Sequence, residues 1–319
     1  MDSYIYMSDI SICRINGGCM YNFDFYNPTH IVFGKDRLGE LDTLVPKDAK
    51  VLIIYGGGSA VRSGLIDRIV KALGNRKVEQ FGGIEPNPSL ETCERAVAFI
   101  KEHGVDFVLA VGGGSVVDAT KLIVMGATYD GPVIEVMKAG VPEVPVDMVP
   151  NPLPFGTVMT LPATGSEMNN GAVITYGNGK FPVFSSLVFP KFSMLDPTLT
   201  FTLPEKQVKN GVIDTFVHTT EQYLTYPVEG RIQDRFSEGI LKTMIEIGHI
   251  TVEEPENYDI RANHVWASTL ALNGLIGAGV PQDWATHLIG HELTAAYHLD
   301  HGKTLAIVLP ALLEVKKAD

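Results

Sequence analysis

Five of the nine histidines form one candidate set, His218, His287, His291, His298 and His301, with an aspartate, Asp214, near the first of them. Asp214 and His218 are four residues apart. Four residues advance a helix about 40° past a full turn, so the two side chains share a face. A carboxylate and an imidazole so placed can chelate one divalent ion. Taken alone, the pair reads first as a hydrogen bond on a helix surface. His287 and His291 repeat the spacing, but Glu292 follows the second histidine instead of the first, which separates this stretch from the zinc-protease motif. A solvated histidine face accounts for one or two of these residues. It accounts less well for a run among Leu288, Ile289, Leu293 and Leu305. One aspartate with several imidazoles is a mixed N/O donor set suited to Fe(II) or Zn(II).

The first half carries a different chemistry. Val51–Tyr55 runs into Gly56-Gly57-Gly58-Ser59, and Phe107–Val111 into Gly112-Gly113-Gly114-Ser115, followed by a helical pattern with Asp118 and Lys121. Glycines let a backbone approach a phosphate, and free N–H groups at a helix start favour an anion. Neither cluster is the common dinucleotide fingerprint, which needs a third glycine where this chain has Val61 and Val117. One such cluster is a tight turn; two at strand ends point to a nucleotide. Glu85-Pro86-Asn87-Pro88 and Thr160–Glu167 belong to the same sheet edge, where their hydroxyls and amide can bond a ribose or diphosphate.

These residues need a scaffold. Val51–Tyr55, Lys77–Phe81, Phe107–Val111 and Thr157–Leu161 read as strands, with Ser63–Leu73, Leu90–His103 and Val116–Met125 as helices between them. That alternation predicts an α/β domain with a doubly wound, mostly parallel sheet. Gly177-Asn178-Gly179 predicts a hairpin with an extended return to Leu195. Past Pro204 only helices are predicted: Glu205–Leu224, Arg231–Ile247, Tyr258–Leu275, Trp284–Tyr297 and Gly302–Val315. The expected division is an extension or disordered arm over 1–19, with Met20 as the natural start, an α/β nucleotide-binding domain over 20–196, and an all-α metal-binding domain over 197–319. Ligands are expected in the cleft between the two domains.

Composition narrows the class. Of 319 residues, 45% are apolar and 19% charged, and acids outnumber bases 37 to 25, a net charge of −12. Nucleic-acid binding, which needs a basic surface, is not expected. Pro310 breaks the longest apolar run, so no membrane span is expected. Cys13, Cys19 and Cys93 form no CxxC pair and no disulfide scaffold, which fits a reducing, cytoplasmic setting.

With these motifs assembled, the chain resembles the iron-activated (group III) alcohol dehydrogenases of the dehydroquinate-synthase-like fold, on the side of the butanol dehydrogenases and broad-range aldehyde reductases. The resemblance runs from about Tyr21 to Pro310. It is carried by Phe33-Gly34-Lys35, Tyr55–Ser59, Phe81–Pro88, Gly112–Lys121, Thr160–Glu167, Gly211–His218, Gly277–Leu293 and His298–Leu309. It implies one divalent metal, Fe(II) or Zn(II), on Asp214, His218, His287 and His301. It implies His291 near the substrate, as a proton donor. It implies cofactor contacts at Gly57, Gly58, Ser59, Asn87, Gly113, Gly114, Ser115, Asp118, Thr160, Thr164, Asn169, Lys180 and Leu199. The Gly56–Ser59 turn lacks the acidic residue of NAD-preferring relatives and has Arg62 close by, so NADP(H) is expected over NAD(H). Leu272, Leu275, Ile276 and Trp284 are expected to line a site for a small aliphatic alcohol or aldehyde, in a homodimer. Family members continue for several helices past the last residue here, so the helical domain is expected to be incomplete. The competing expectations are a truncated, non-catalytic nucleotide binder and a glycerol-dehydrogenase-like enzyme. A zinc hydrolase would leave the paired glycine turns unexplained.

Overall fold

The computed structural model describes residues 18–297 and 299–317. The expected arm over 1–19 lies outside them except for Gly18 and Cys19, as does His298. Eight strands form among the described residues: β1 His30–Phe33, β2 Lys50–Tyr55, β3 Lys77–Phe81, β4 Phe107–Gly112, β5 Phe155–Met159, β6 Gly171–Tyr176, β7 Gly179–Phe184 and β8 Phe192–Leu195. Six make one parallel sheet in the order β1-β8-β5-β4-β2-β3. The helices longer than two turns are α1 Leu65–Leu73, α2 Leu90–His103, α3 Gly114–Thr128, α4 Glu205–Tyr223, α5 Arg231–Ile247, α6 Tyr258–Ala271, α7 Ala285–Tyr297 and α8 His301–Lys316.

The runs in β2 and β4 have no polar face because the sheet has none to offer solvent. Leu52 and Ile54 of β2 pack with Val108 and Ala110 of β4 against Ala96, Val97 and Ile100 of α2 and Leu122 and Ile123 of α3. Val51, Ile53, Phe107, Leu109 and Val111 point the other way, onto Leu65, Ile66, Ile69 and Leu73 of α1. Helices therefore cover both faces, as expected for a doubly wound sheet. β2 leads outward to β3, and the chain then returns to β4 on the opposite side of β2. Strand order reverses between β2 and β4, and both strands end there in their glycine turns. A crevice at such a reversal is where open α/β sheets bind ligands.

Three elements differ from expectation. β5 begins and ends two residues earlier than the predicted strand. Thr160 N closes the ladder on Gly112 O at 2.9 Å, and Leu161-Pro162 then leaves the sheet. The extended return is a full strand: β8 lies between β1 and β5, in parallel register with both. β1 was not predicted at all, since four residues carry too little pattern to register. The hairpin β6–β7 stands apart from the main sheet, antiparallel from Gly171↔Phe184 to Tyr176↔Gly179. Cys93 is free and buried, whereas Cys19 is disulfide-bonded.

After Leu195 the described chain is helical, as expected. None of its helices is long and apolar enough to cross a membrane. The segment before β1 is tied to this half: Tyr21 N donates to Gly279 O at 2.8 Å, and Asn27 Nδ2 donates to Met168 O at 2.8 Å and Asn273 O at 3.2 Å. α7 and α8 leave Leu288, Ile289, Ile307 and Val315 exposed. α4 meets the sheet domain at Gly211, where a Cβ would lie 2.2 Å from the carbonyl oxygen of Pro162. Backbone cannot yield there as a flexible side chain would. Gly211→Ala is expected to cost about 1–3 kcal/mol, read as a lower denaturation midpoint; an unchanged midpoint would show that the two elements separate freely.

Candidate metal and nucleotide site

α4 presents Asp214, His218 and Glu221 at positions i, i+4 and i+7, one face of the helix. All three are buried, at 3%, 4% and 4% exposure. Three imidazoles converge on one carboxylate oxygen. Asp214 Oδ1 lies 3.6 Å from His218 Nδ1, 3.5 Å from His287 Nε2 and 3.6 Å from His301 Nε2. These separations are too long for good hydrogen bonds. They suit atoms sharing an ion: bonds of about 2.1 Å at tetrahedral angles put ligand atoms about 3.4 Å apart. Asp214 Oδ1, His218 Nδ1 and His287 Nε2 are buried without any hydrogen-bond partner. Native interiors leave few such atoms, so the donor set fits a divalent cation.

The ligand atoms of Asp214, His287 and His301 lie within 4.8 Å of one another. His218 stands outside that mutually close set, although its ring stacks on His287 with centroids 4.5 Å apart. Burial alone would raise the Asp214 pKa, but His218, His287 and His301 outweigh it and hold the carboxyl well below its usual range. Burial pushes His218 down to about 4 and His301 well below its ordinary value. His287 moves the other way. Burial opposes its charge, yet Asp214 and Glu221 on either side raise it to about 9.

Glu221 was missed by sequence reasoning. Its Oε1 accepts N–H bonds from Thr286 at 2.6 Å and His287 at 3.1 Å, at the start of α7, where the helix end favours a negative charge. Its Oε2 bonds His287 Nδ1, which turns Nε2 toward Asp214. The signal was available, seven residues past Asp214 on the same face. A glutamate on a helix ordinarily reads as a solvated residue.

His291 lies one turn past His287. Its ring is 5.0 Å from that of His301 and 6.1 Å from that of His287. Burial first, then the charge of Lys180, lowers its pKa to about 3, so it is neutral near pH 7. Trp284 stands edge-on to His287 at 5.4 Å. Ile276, expected to line the site, is instead in the core with Ile240, Met244, Ile247 and Ala267, because Leu272 ends α6 and the chain turns inward.

The expected cofactor residues fall into two groups. Gly57 and Ser59 are exposed in the turn after β2, where Gly58 adopts φ 93°, a conformation that suits glycine. Arg62 Nη1 approaches Gly57 O at 3.4 Å. Gly113 and Gly114 open α3, where a Cβ on Gly114 would overlap Thr164. Asn87 N faces Ser115 Oγ at 3.4 Å, and Lys180 Nζ bonds Asn87 Oδ1. Lys180 is thus drawn from the hairpin to the switch point, and its charge also acts on Asp214 and His301. Thr160 follows β5 on this edge.

The second group is engaged inside the protein. Asp118 accepts from Ser166 Oγ at 2.6 Å and Val173 N at 2.9 Å. Asn169 accepts from Lys121 at 2.8 Å and Gly171 N at 3.0 Å, and donates to Gly165 O at 3.0 Å and Leu272 O at 3.2 Å. Leu199 packs in the apolar cluster on the α1 face of the sheet.

Glycine turns at a strand-order reversal, joined to a helical Asp–His cluster, define a two-part enzyme that binds a nucleotide and a metal. Residues 28–197 match the family of iron-containing alcohol dehydrogenases, and residues 208–318 match the C-terminal part of the same family. The chain is 54% identical over 303 residues to the NADPH-dependent aldehyde reductase YqhD of Escherichia coli K12, covering 93% of this chain and 77% of that protein. It is 43% identical over 302 residues to the probable NADH-dependent butanol dehydrogenase 1 of Bacillus subtilis 168, covering 91% and 75%. The crystal structure of E. coli K-12 YqhD superposes with a TM-score of 0.90 at 53% identity, over 94% of this chain and 77% of that one. That of NADH-dependent butanol dehydrogenase A from Thermotoga maritima gives 0.86 at 37% identity, over 93% and 75%. The chain belongs to the iron-containing alcohol dehydrogenase family.

Since Glu221 fixes the His287 ring, Glu221→Gln should weaken metal binding about 10–100-fold. Titration of the apoprotein with Zn(II) against a chromophoric chelator measures this, and an unaltered affinity would remove Glu221 from the site.

Proposed function

We propose that this chain is a metal-dependent alcohol dehydrogenase and aldehyde reductase that uses NADP(H) and acts on small aliphatic substrates. The observation that carries the reading is the convergence of three imidazoles on an unpartnered, buried carboxylate oxygen. The family membership and the similarity to a reductase named as NADPH-dependent support it. For the cofactor, the support is a glycine-and-serine turn with no acidic residue to repel a 2′-phosphate and the Arg62 guanidinium beside it. We also divide the chain near Asp196-Pro197, where strands give way to helices.

A bound divalent ion supplies Lewis acidity at the substrate oxygen, and a bound nicotinamide supplies the hydride. The chain's own residues do the rest. We assign Asp214, His218, His287 and His301 as ligands. Backbone N–H groups of the turns at Gly57, Gly58 and Ser59 and at Gly113, Gly114 and Ser115 bind the phosphates. Thr160, Thr164 and Asn87 lie along the same edge and orient the sugar. Lys180 adds a cation at the inner end of this row. Trp284 stands edge-on to His287 and His218 on one side of the metal cluster. His291 is neutral, so it relays a proton to the nascent alkoxide by releasing one from one ring nitrogen while taking another at the other.

Anaerobic NADPH oxidation with butanal, in the presence of Fe(II) or Zn(II), tests the reading. Metal-dependent turnover is expected, and Asp214→Ala should abolish both metal content and turnover. Retention of either would refute the ligand assignment, and a folded parent chain that stays inactive with both metals would refute the function. Lys180 gives a pH signature. Burial lowers its pKa to about 8, so it is charged below that pH and neutral above it. kcat/KM for NADPH should therefore fall as pH rises through about 8, and Lys180→Ala should remove that limb from the profile.

A further inference from the structure

Hydride transfer requires the nucleotide turn and the metal cluster at one fixed separation, yet the two belong to different parts of the chain. Between them lies Lys121, two turns along α3 from the glycines and fully buried at 0% exposure. Its Nζ donates to Ser166 Oγ at 2.9 Å, Asn169 Oδ1 at 2.8 Å and Gly171 O at 2.6 Å, which uses all three ammonium hydrogens. Ser166 and Asn169 lie on the chain between β5 and β6, and Gly171 is the first residue of β6.

That loop is held from the far side by the helical half. Asn169 Nδ2 donates to Leu272 O at 3.2 Å, just past α6, and Thr269 Oγ1 of α6 donates to Glu167 Oε1 at 2.5 Å. The neighbouring carbonyl of Ala271 accepts from Gln222 Nε2 at 2.7 Å, and the same amide donates to His218 O at 2.8 Å. Directed hydrogen bonds, joined through the Ala271-Leu272 backbone, thus run from the nucleotide helix through Lys121, Asn169 and Gln222 to the backbone of a metal-site residue.

Packing alone does not call for a lysine here. α3 already buries Val116, Val117, Leu122, Ile123 and Val124. Burying an ammonium is costly, and burial pushes the Lys121 pKa down to about 8. An apolar side chain would fill the space, but it would leave Asp118 and Glu167 without their nearby cation and would fix no direction. We infer that Lys121 is a positioning residue, whose three hydrogen bonds set the separation between the nucleotide turn and the metal cluster, with Asn169 passing that constraint into the helical half. The inference rests on the dehydrogenase reading above. It gives Asn169 a role through Lys121 in place of direct contact with the cofactor.

The test uses the full chain, loaded with Zn(II) or Fe(II), and compares Lys121→Met, Asn169→Ala and the double variant with the parent. Metal content, NADPH affinity by fluorescence, kcat with butanal, and the isotope effect with NADPH deuterated at the transferred position are read for each. Both single variants should keep metal and NADPH affinity at parental values. Their kcat should fall about a hundredfold, with a larger isotope effect as the hydride step becomes limiting. The double variant should be no slower than the slower single, since both changes cut one path. An unchanged kcat, additive losses, or a loss that follows missing metal or cofactor with the isotope effect unmoved would overturn the inference and leave Lys121 a stabilising residue only. If Lys121→Met does not fold, Asn169→Ala decides on the same readouts. A parent that turns over beside unaffected variants sinks this inference alone; a parent that never turns over sinks the dehydrogenase reading and this inference together.

Discussion

A carboxylate charge in a dry interior is the constraint around which the helical half is arranged. Asp214 is almost fully buried, and its environment keeps it ionised. An uncompensated anion there would cost far more than the fold can spare. Within the protein the opposing charge comes from His287 on α7, while His218 on α4 and His301 on α8 turn uncharged rings toward the same oxygen, so three helices are drawn to one anion. Glu221 extends the logic outward. A second buried carboxylate is satisfied by the start of α7 and by His287, so each acid is held by groups that the other helps to orient.

The sheet domain solves a different problem. Its core is apolar on both faces and holds the two glycine turns on adjacent parallel strands, so the turns inherit the rigidity of β2 and β4. Lys121 of α3 reaches the β5–β6 connection, where it meets Ser166 and Asn169. Buried charges, Lys121 and Glu167, meet there between the halves. A rigid frame on each side with a polar joint between them lets chemistry be aligned by hydrogen-bond direction, which apolar contact does not provide.

Much of this was legible in the sequence, for physical reasons that can be named. β2 and β4 were visible because strands buried on both faces are unbroken apolar runs, and the hairpin because Gly177-Asn178-Gly179 permits a tight turn. β1 and β8 were not, since each has four residues and owes its register to neighbours distant in sequence, such as His30 beside Phe192. Asp214 and His218 announced a shared helix face. That His287 and His301 would meet them could be expected only from resemblance, because tertiary contacts leave no local trace. Glu221 and the roles of Asp118 and Asn169 were hidden for the same reason: a polar residue's type says what it can bond, and only the fold says which bonds it has already made.

The residues that face the shared oxygen of Asp214 stretch from α4 to α8, across most of the helical half of the chain. An ion held by them would therefore act as a staple, closing one long loop and the shorter loops within it. Closing such loops removes conformational freedom from the unfolded chain. Metal uptake would then be a folding event as well as a catalytic one, felt by α4, α7 and α8 together and only indirectly by the sheet.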